Sequence, residues 1–163
     1  VSEMSQTSLR DFFVAAPMVY GAILQLAAIN RTDAQLANLQ LAQDAFVKAL
    51  ANGSAADRAL ANNHFHAVTG EMAGNIYLMP SFHRLLIDHA RISQTFYRPR
   101  DQEMQGRMFS ALEQHDEMIV AIEAGDSQRV VDLIVEHWEL SRDLIEYFVK
   151  PDPLAFDMVA EHS

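Results

Sequence analysis

Seven histidines stand in a chain that has no cysteine, and this pairing bounds the chemistry to look for. Without thiolates a metal would need nitrogen and oxygen ligands, and a disulfide or a cysteine nucleophile is excluded. Three of the histidines fall on faces with helical spacing. His115 belongs to the stripe Met108, Leu112, His115, Ile119, Ile122; His137 belongs to Val130, Ile134, His137, Leu144, Phe148, with Ser141 one turn past it. His66 shares a face with Asn62, Thr69 and Ala73. Residues three or four apart on a helix are neighbours, so all three rings are expected to point inward, with Asn62 beside His66. An imidazole removed from water needs a partner for each ring nitrogen. Three buried rings scattered on separate helices are costly, whereas three converging on one cation are not. Neutral imidazole is a common metal ligand, and bundle cores recurrently house metal sites. The competing reading is a set of hydrogen-bonded core histidines. No His-x3-His pair falls on these faces, so spacing within one helix does not separate the two readings.

The remaining histidines divide differently. His64 lies on another face from His66 and is expected in solvent, as are His83 and His162. His89 sits on the apolar stripe Phe82, Leu85, His89, Ile92, Phe96, which makes it a pocket-lining or core residue.

The elements that position these residues read as six main helices separated by glycine and proline. The first runs from about Ser8 to Ile29, with Pro17 inside it; proline removes a backbone bond, so two pieces joined near Ala16 are expected. The second starts at Thr32, whose spacing to Gln35 is a capping-box pattern, carries Leu36, Leu39, Ala42 and Phe46, and ends at Gly53. The third runs from near Ser54 to Glu71 or Met72, stopped by Gly74. The fourth covers about Ile76 to Tyr97, with Pro80 in its first turn or separating a short leading turn, and Pro99 after it. The fifth covers Gln102 to Ala124, ended by Gly125. Asp126 caps the sixth, which runs to about Val149, before Pro151, Pro153 and an irregular tail. No strand-like alternation persists. The expected fold is all-α, an antiparallel bundle of six to seven helices, with residues 1–163 forming one domain.

Charge and hydropathy narrow the partners. The net charge is −10, and Arg98 and Arg100 form the densest basic pair, which argues against this chain gripping nucleic acid phosphates. The longest apolar run, Met18–Ile29, is broken by Gln25 and falls short of the roughly 20 residues that span a bilayer. Val1–Arg10 is polar and lacks signal-peptide order. The expectation is a cytoplasmic protein without a membrane partner.

Three stretches together resemble the FCD effector domain of GntR-type bacterial transcription regulators, the FadR subfamily. Asn62-Asn63-His64-Phe65-His66, followed by Ala73-Gly74-Asn75, is similar to the family's Asp/Asn-x-x-Phe-His and later Gly-Asn. His115 through Ile122, Gly125 and Asp126 is similar to His-x-x-Ile-x-x-Ala-Ile-x-x-Gly-Asp. His137 then follows His115 by 22 positions, as the family pattern requires. Leu26-Ala27-Ala28, with Thr32 and Leu36, resembles the join of the family's first two helices. The likeness runs from about Leu9 to Phe148.

The resemblance implies a metal, zinc or nickel, held by Asn62, His66, His115 and His137, with open positions for a small organic acid. It implies effector contacts at Asn75, to which His89 and Arg91 are added as further candidates, the alternatives being a core role for His89 and a solvated one for Arg91 on its polar helix face. Two positions depart from the family. Asn62 stands where many members have Asp, so the site keeps more positive charge and a weaker fourth ligand. Ala16 and Tyr20 stand where members often carry an effector-binding Arg and a Glu. No winged helix-turn-helix reads in these residues, so DNA contact is expected only through a domain outside this chain, and a homodimer is expected because operators are usually read by symmetric dimers. The functional expectation is therefore a non-enzymatic ligand-sensing domain. The alternatives are a metal-dependent hydrolase, for which Glu71 is the base nearest in sequence, and a purely structural helical dimerisation module.

Overall fold

Two hydroxyls set the frame of the first half. Thr32 and Ser54 each accept a hydrogen bond from the backbone three residues on, and Gln35 and Asp57 return the bond to the cap backbone. These reciprocal capping boxes satisfy N–H groups that a helix leaves open at its start. They begin α2 (Asp33–Asn52) and α3 (Ala55–Ala73), which follow α1 (Gln6–Asn30) and precede α4 (Met79–Phe96), α5 (Gln102–Ala124) and α6 (Ser127–Val149). The structure, a computed structural model, describes residues 4–149, without the side chains of 6 and 143–149. Among the described residues there is no strand, so the all-α expectation holds. Pro151, Pro153, His162 and the side chains of Leu144 and Phe148 lie outside the described residues.

The helix ends follow from local chemistry. Gly74 and Gly125 close α3 and α5 at φ values of 62° and 70°, a left-handed conformation that side chains disfavour. Asp126 receives the Arg129 amide at 3.0 Å and so opens α6. The start of α4 differs from the expected Ile76. Asn75 Oδ1 accepts from the amides of Tyr77 and Leu78, both at 3.0 Å, and this turn delays the helix to Met79, with Pro80 in its first turn.

α1 also differs from expectation. Pro17 does not divide it; the helix runs unbroken through Asn30. Burial on both sides of the proline accounts for this, because Ala16 and Tyr20 are both enclosed in the core. Tertiary packing offsets a helix penalty of about 3 kcal/mol for an interior proline. The stretch Thr7–Asn30 is long and apolar enough to cross a membrane by length and composition, which extends beyond the shorter run read from the sequence. Here it serves as the inner helix, packed on α3, α4, α5 and α6.

The core forms two clusters. One gathers around α1 and includes Tyr20, Ile23, Leu24, Phe65, Phe82 and Trp138. The other contains Phe46, Ala59, Phe96, Tyr97, Met108 and Ala111. α3 and α4 approach very closely at Gly70, where a Cβ would stand 2.5 Å from Phe82 Cε1.

Candidate metal centre

The buried histidines sit where the two clusters meet. His115 stacks on Phe65 at 3.8 Å between ring centroids and lies 5.0 Å from Phe46. His66 meets Tyr20 edge-on at 5.3 Å. His66 of α3, His115 of α5 and His137 of α6 therefore converge from three helices, with centroids 4.9–5.3 Å apart. Each offers a nitrogen, and these nitrogens lie within 4.8 Å of one another. One ion bonded to all three at about 2.0–2.1 Å would draw them slightly closer.

Hydrogen bonding prepares two of the rings. Gln43 of α2 gives its amide N–H groups to Leu112 O at 3.1 Å and Asp116 Oδ1 at 2.9 Å. Its Oε1 lies 3.1 Å from His115 Nδ1. An oxygen only accepts, so the His115 proton sits on Nδ1 and Nε2 carries a lone pair. Gln114 Oε1 faces His137 Nδ1 at 2.9 Å and has the same effect. Against this order, His115 Nε2 and both nitrogens of His66 are buried without a partner, as is Trp138 Nε1. Buried polar atoms are nearly always hydrogen-bonded. These orphaned imidazole nitrogens include two lone pairs, one on His115 Nε2 and one on His66, which is the chemistry of an unfilled donor set, and imidazole suits a borderline divalent cation.

The electrostatics keep the rings neutral. Burial, then the mutual repulsion of His115, His89 and His137, holds His66 well below the ordinary histidine range. Burial, then His137 and His89, does the same for His115. Burial lowers His137 to about 4, and burial with His137 lowers His89 to about 3. All four are unprotonated at neutral pH, the form that ligates. Among the described residues no carboxylate joins the group.

The other sequence-based candidates separate. Asn62 is buried beside the triad; its Oδ1 accepts from the Tyr97 hydroxyl at 3.0 Å, and its Nδ2 lies 3.4 Å from His89 Nε2. His89 is buried too, and its Nδ1 is 2.9 Å from the Tyr20 hydroxyl. Asn75 is engaged in the turn before α4. Arg91 is an exposed side chain that pairs with Asp88 at 3.4 Å. The structure brings neither Asn75 nor Arg91 into the histidine cluster. Glu71 is exposed on α3. A cavity of about 20 Å³ adjoins the cluster, lined in part by His89, Ser93, Tyr97, His137, Trp138 and Ser141.

Gln43 and Gln114 escaped the sequence reading. Gln43 falls at helical spacing between Leu39 and Phe46, both buried, and a glutamine on an apolar face was the available signal. Gln114, next to His115 in the chain, gave no comparable signal. Tyr20 appeared only as a departure from the family, yet its phenol contacts His89 directly.

No curated protein and no solved structure matches the chain. The profile of the FCD domain matches residues 17–140, which contain all of His66, His89, His115 and His137. The chain belongs to the FCD domain family, the ligand-sensing regulatory domains of GntR-type regulators.

Proposed function

We propose that this FCD domain senses a small carboxylate at a divalent metal, zinc or nickel, held by His66, His115 and His137. Asn62 is the fourth protein group in the ligand set taken from the family resemblance. The observation that carries the reading is His66, a fully buried imidazole with both nitrogens unpartnered, beside the equally unpartnered Nε2 of His115. A bound ion would supply an electrophilic seat for one carboxylate oxygen. The protein groups around it are neutral, since Asn62 replaces an acid and no carboxylate joins the donor set among the described residues. The charge of the ion is then uncompensated, which favours an anionic ligand.

The adjoining cavity, about 20 Å³, holds little more than one water. A carboxylate entering there would part α4 from α6, whose residues line it. Ligand affinity is thereby tied to helix packing, and differential affinity for two packings is the requirement for regulation. The output in this reading is the geometry of a homodimer in the cytoplasm, which addresses DNA through a winged helix-turn-helix outside this chain. His89 lines that cavity and is the candidate contact from α4. Asn75 bonds within the turn before α4 and Arg91 pairs with Asp88, so any contact of theirs with the ligand would be made from those positions.

The reading is tested on protein purified without chelator or nickel resin. Stoichiometric zinc or nickel by elemental analysis, and a rise in Tm when metal is restored to stripped protein, are expected through binding linkage. Acetate or lactate should then raise Tm further only in metal-loaded protein. Absence of metal together with no thermal response to zinc or nickel sinks the proposal.

A further inference from the structure

His89 lies next to the triad without belonging to it. It comes from α4, a helix that contributes none of the three, and its ring centroid lies 5.2 Å from that of His66. The proton on this ring can be assigned from its neighbours. Tyr97 donates to Asn62 Oδ1, which leaves the Asn62 NH2 facing His89 Nε2. A ring nitrogen opposite an N–H donor carries a lone pair, so the His89 proton resides on Nδ1 and goes to the Tyr20 oxygen. His89 thus repeats the order of His115 and His137: Nδ1–H on a neutral oxygen, Nε2 with the lone pair.

Asn62 is the poorer ligand of the two. Its carbonyl oxygen already accepts from Tyr97, and a neutral amide oxygen suits zinc or nickel less well than imidazole. The contact that restrains His89 Nε2, 3.4 Å from Asn62 Nδ2, is longer than an ordinary hydrogen bond from an N–H donor. We propose that His89 is the fourth protein ligand of the metal, and that Asn62 restrains His89 only in the metal-free protein, without coordinating. The inference rests on the metal reading above. His89 stands outside the group whose nitrogens lie within 4.8 Å of one another. A metal held by His89 would replace the long Asn62 contact and would tie α4 to the ion.

The test is a zinc titration of the full chain labelled with nitrogen-15 in histidine, read by long-range proton–nitrogen correlation at each ring. One equivalent of zinc should move ring nitrogens of His66, His89, His115 and His137 into the metal-bound range. In parallel, His89→Gln should weaken zinc binding at least about tenfold, and Asn62→Leu by less than about threefold. If His66, His115 and His137 respond while His89 keeps its metal-free signals, the fourth-ligand assignment is overturned; this outcome is read on the unaltered protein and needs no variant to fold. An Asn62→Leu loss equal to that of His89→Gln also overturns it. If no ring responds to zinc, the metal reading fails and the assignment falls with it.

Discussion

Gln43 holds His115 in a single tautomer. The two groups meet at 3.1 Å, and because the Gln43 amide is anchored to Leu112 O and Asp116 Oδ1, only its carbonyl can face the ring. The consequence is a lone pair on His115 Nε2 before any ion arrives. Ligand histidines are generally oriented through their other nitrogen, and loss of such an orienting group reduces metal affinity about 10–100-fold. Gln43→Leu should therefore weaken zinc binding by that factor in a competition against a chromophoric chelator. It should also lower metal-free stability by about 1–3 kcal/mol, since His115 Nδ1 loses its partner. Unchanged zinc affinity in a folded Gln43→Leu protein would mean that the tautomer is not what prepares the site.

His66 makes the opposite prediction for stability. Both of its nitrogens are buried and unpartnered, and each unsatisfied group costs about 1–3 kcal/mol. An apolar replacement of similar size removes that penalty. His66→Leu should thus raise the Tm of metal-free protein by a few degrees, at about 2–4 °C per kcal/mol for a chain of this size. The same change should abolish stabilisation by zinc. A residue whose loss stabilises the empty protein while eliminating ligand-linked stability is kept for binding. A variant destabilised in the absence of metal would assign His66 to packing.

Much of this arrangement was legible in the chain. Period 3.6 put His66, His115 and His137 on inward faces, and all three are buried. Helix ends were readable where a cap carries its own chemistry, as at Thr32, Gly74 and Gly125. The continuity of α1 was not, because the propensity of Pro17 is local while the burial of Ala16 and Tyr20 that overrides it is tertiary. The orienting network was hidden for the same reason. Gln43 and His115 are 72 residues apart, and neither residue's immediate neighbours announce the other. The polar helix face of Arg91 was readable as solvated, and the side chain is exposed beside Asp88, a pairing of neighbours on one helix turn.

Gly70 should prove a position where only glycine fits. A Cβ there would lie 2.5 Å and 2.9 Å from two atoms of the Phe82 ring. Phe82 is fully buried and packs edge-on against Tyr20 with centroids 4.9 Å apart, so the ring has no free space to retreat into. Gly70→Ala should destabilise the protein by about 1–3 kcal/mol, the usual range for overpacking, despite the higher helix propensity of alanine. Because Tyr20 in turn contacts His89 at 2.9 Å, the displacement should also reach the histidine cluster and weaken the zinc binding proposed for it. Denaturant midpoints equal to the unaltered protein would show that the α3–α4 crossing absorbs a methyl group without strain.

The metal-free protein should lose stability as pH falls from neutrality, with buried histidines as the cause. His137 titrates at about 4 and His89 at about 3 in the folded protein, both lowered first by burial, and burial likewise lowers His66 and His115. In the unfolded chain all four titrate near the ordinary value of about 6.5. Above that value neither state binds the proton, and stability is indifferent to these groups. Below it the unfolded chain takes up protons that the folded chain refuses, so the sign of the linkage makes unfolding easier with every step toward acid. Each histidine contributes about 1.4 kcal/mol per pH unit within its window. The window closes near pH 4 for His137 and near pH 3 for His89. Denaturant midpoints of stripped protein measured from pH 7.5 to 4.5 should fall steeply below about pH 6.5, and His137→Gln should remove one histidine's share of the slope. Bound zinc should raise stability across that range without steepening the fall, because folded rings held at or below about pH 4 do not exchange the ion for protons there. A stripped protein equally stable at both ends of that range would contradict the burial of four neutral imidazoles.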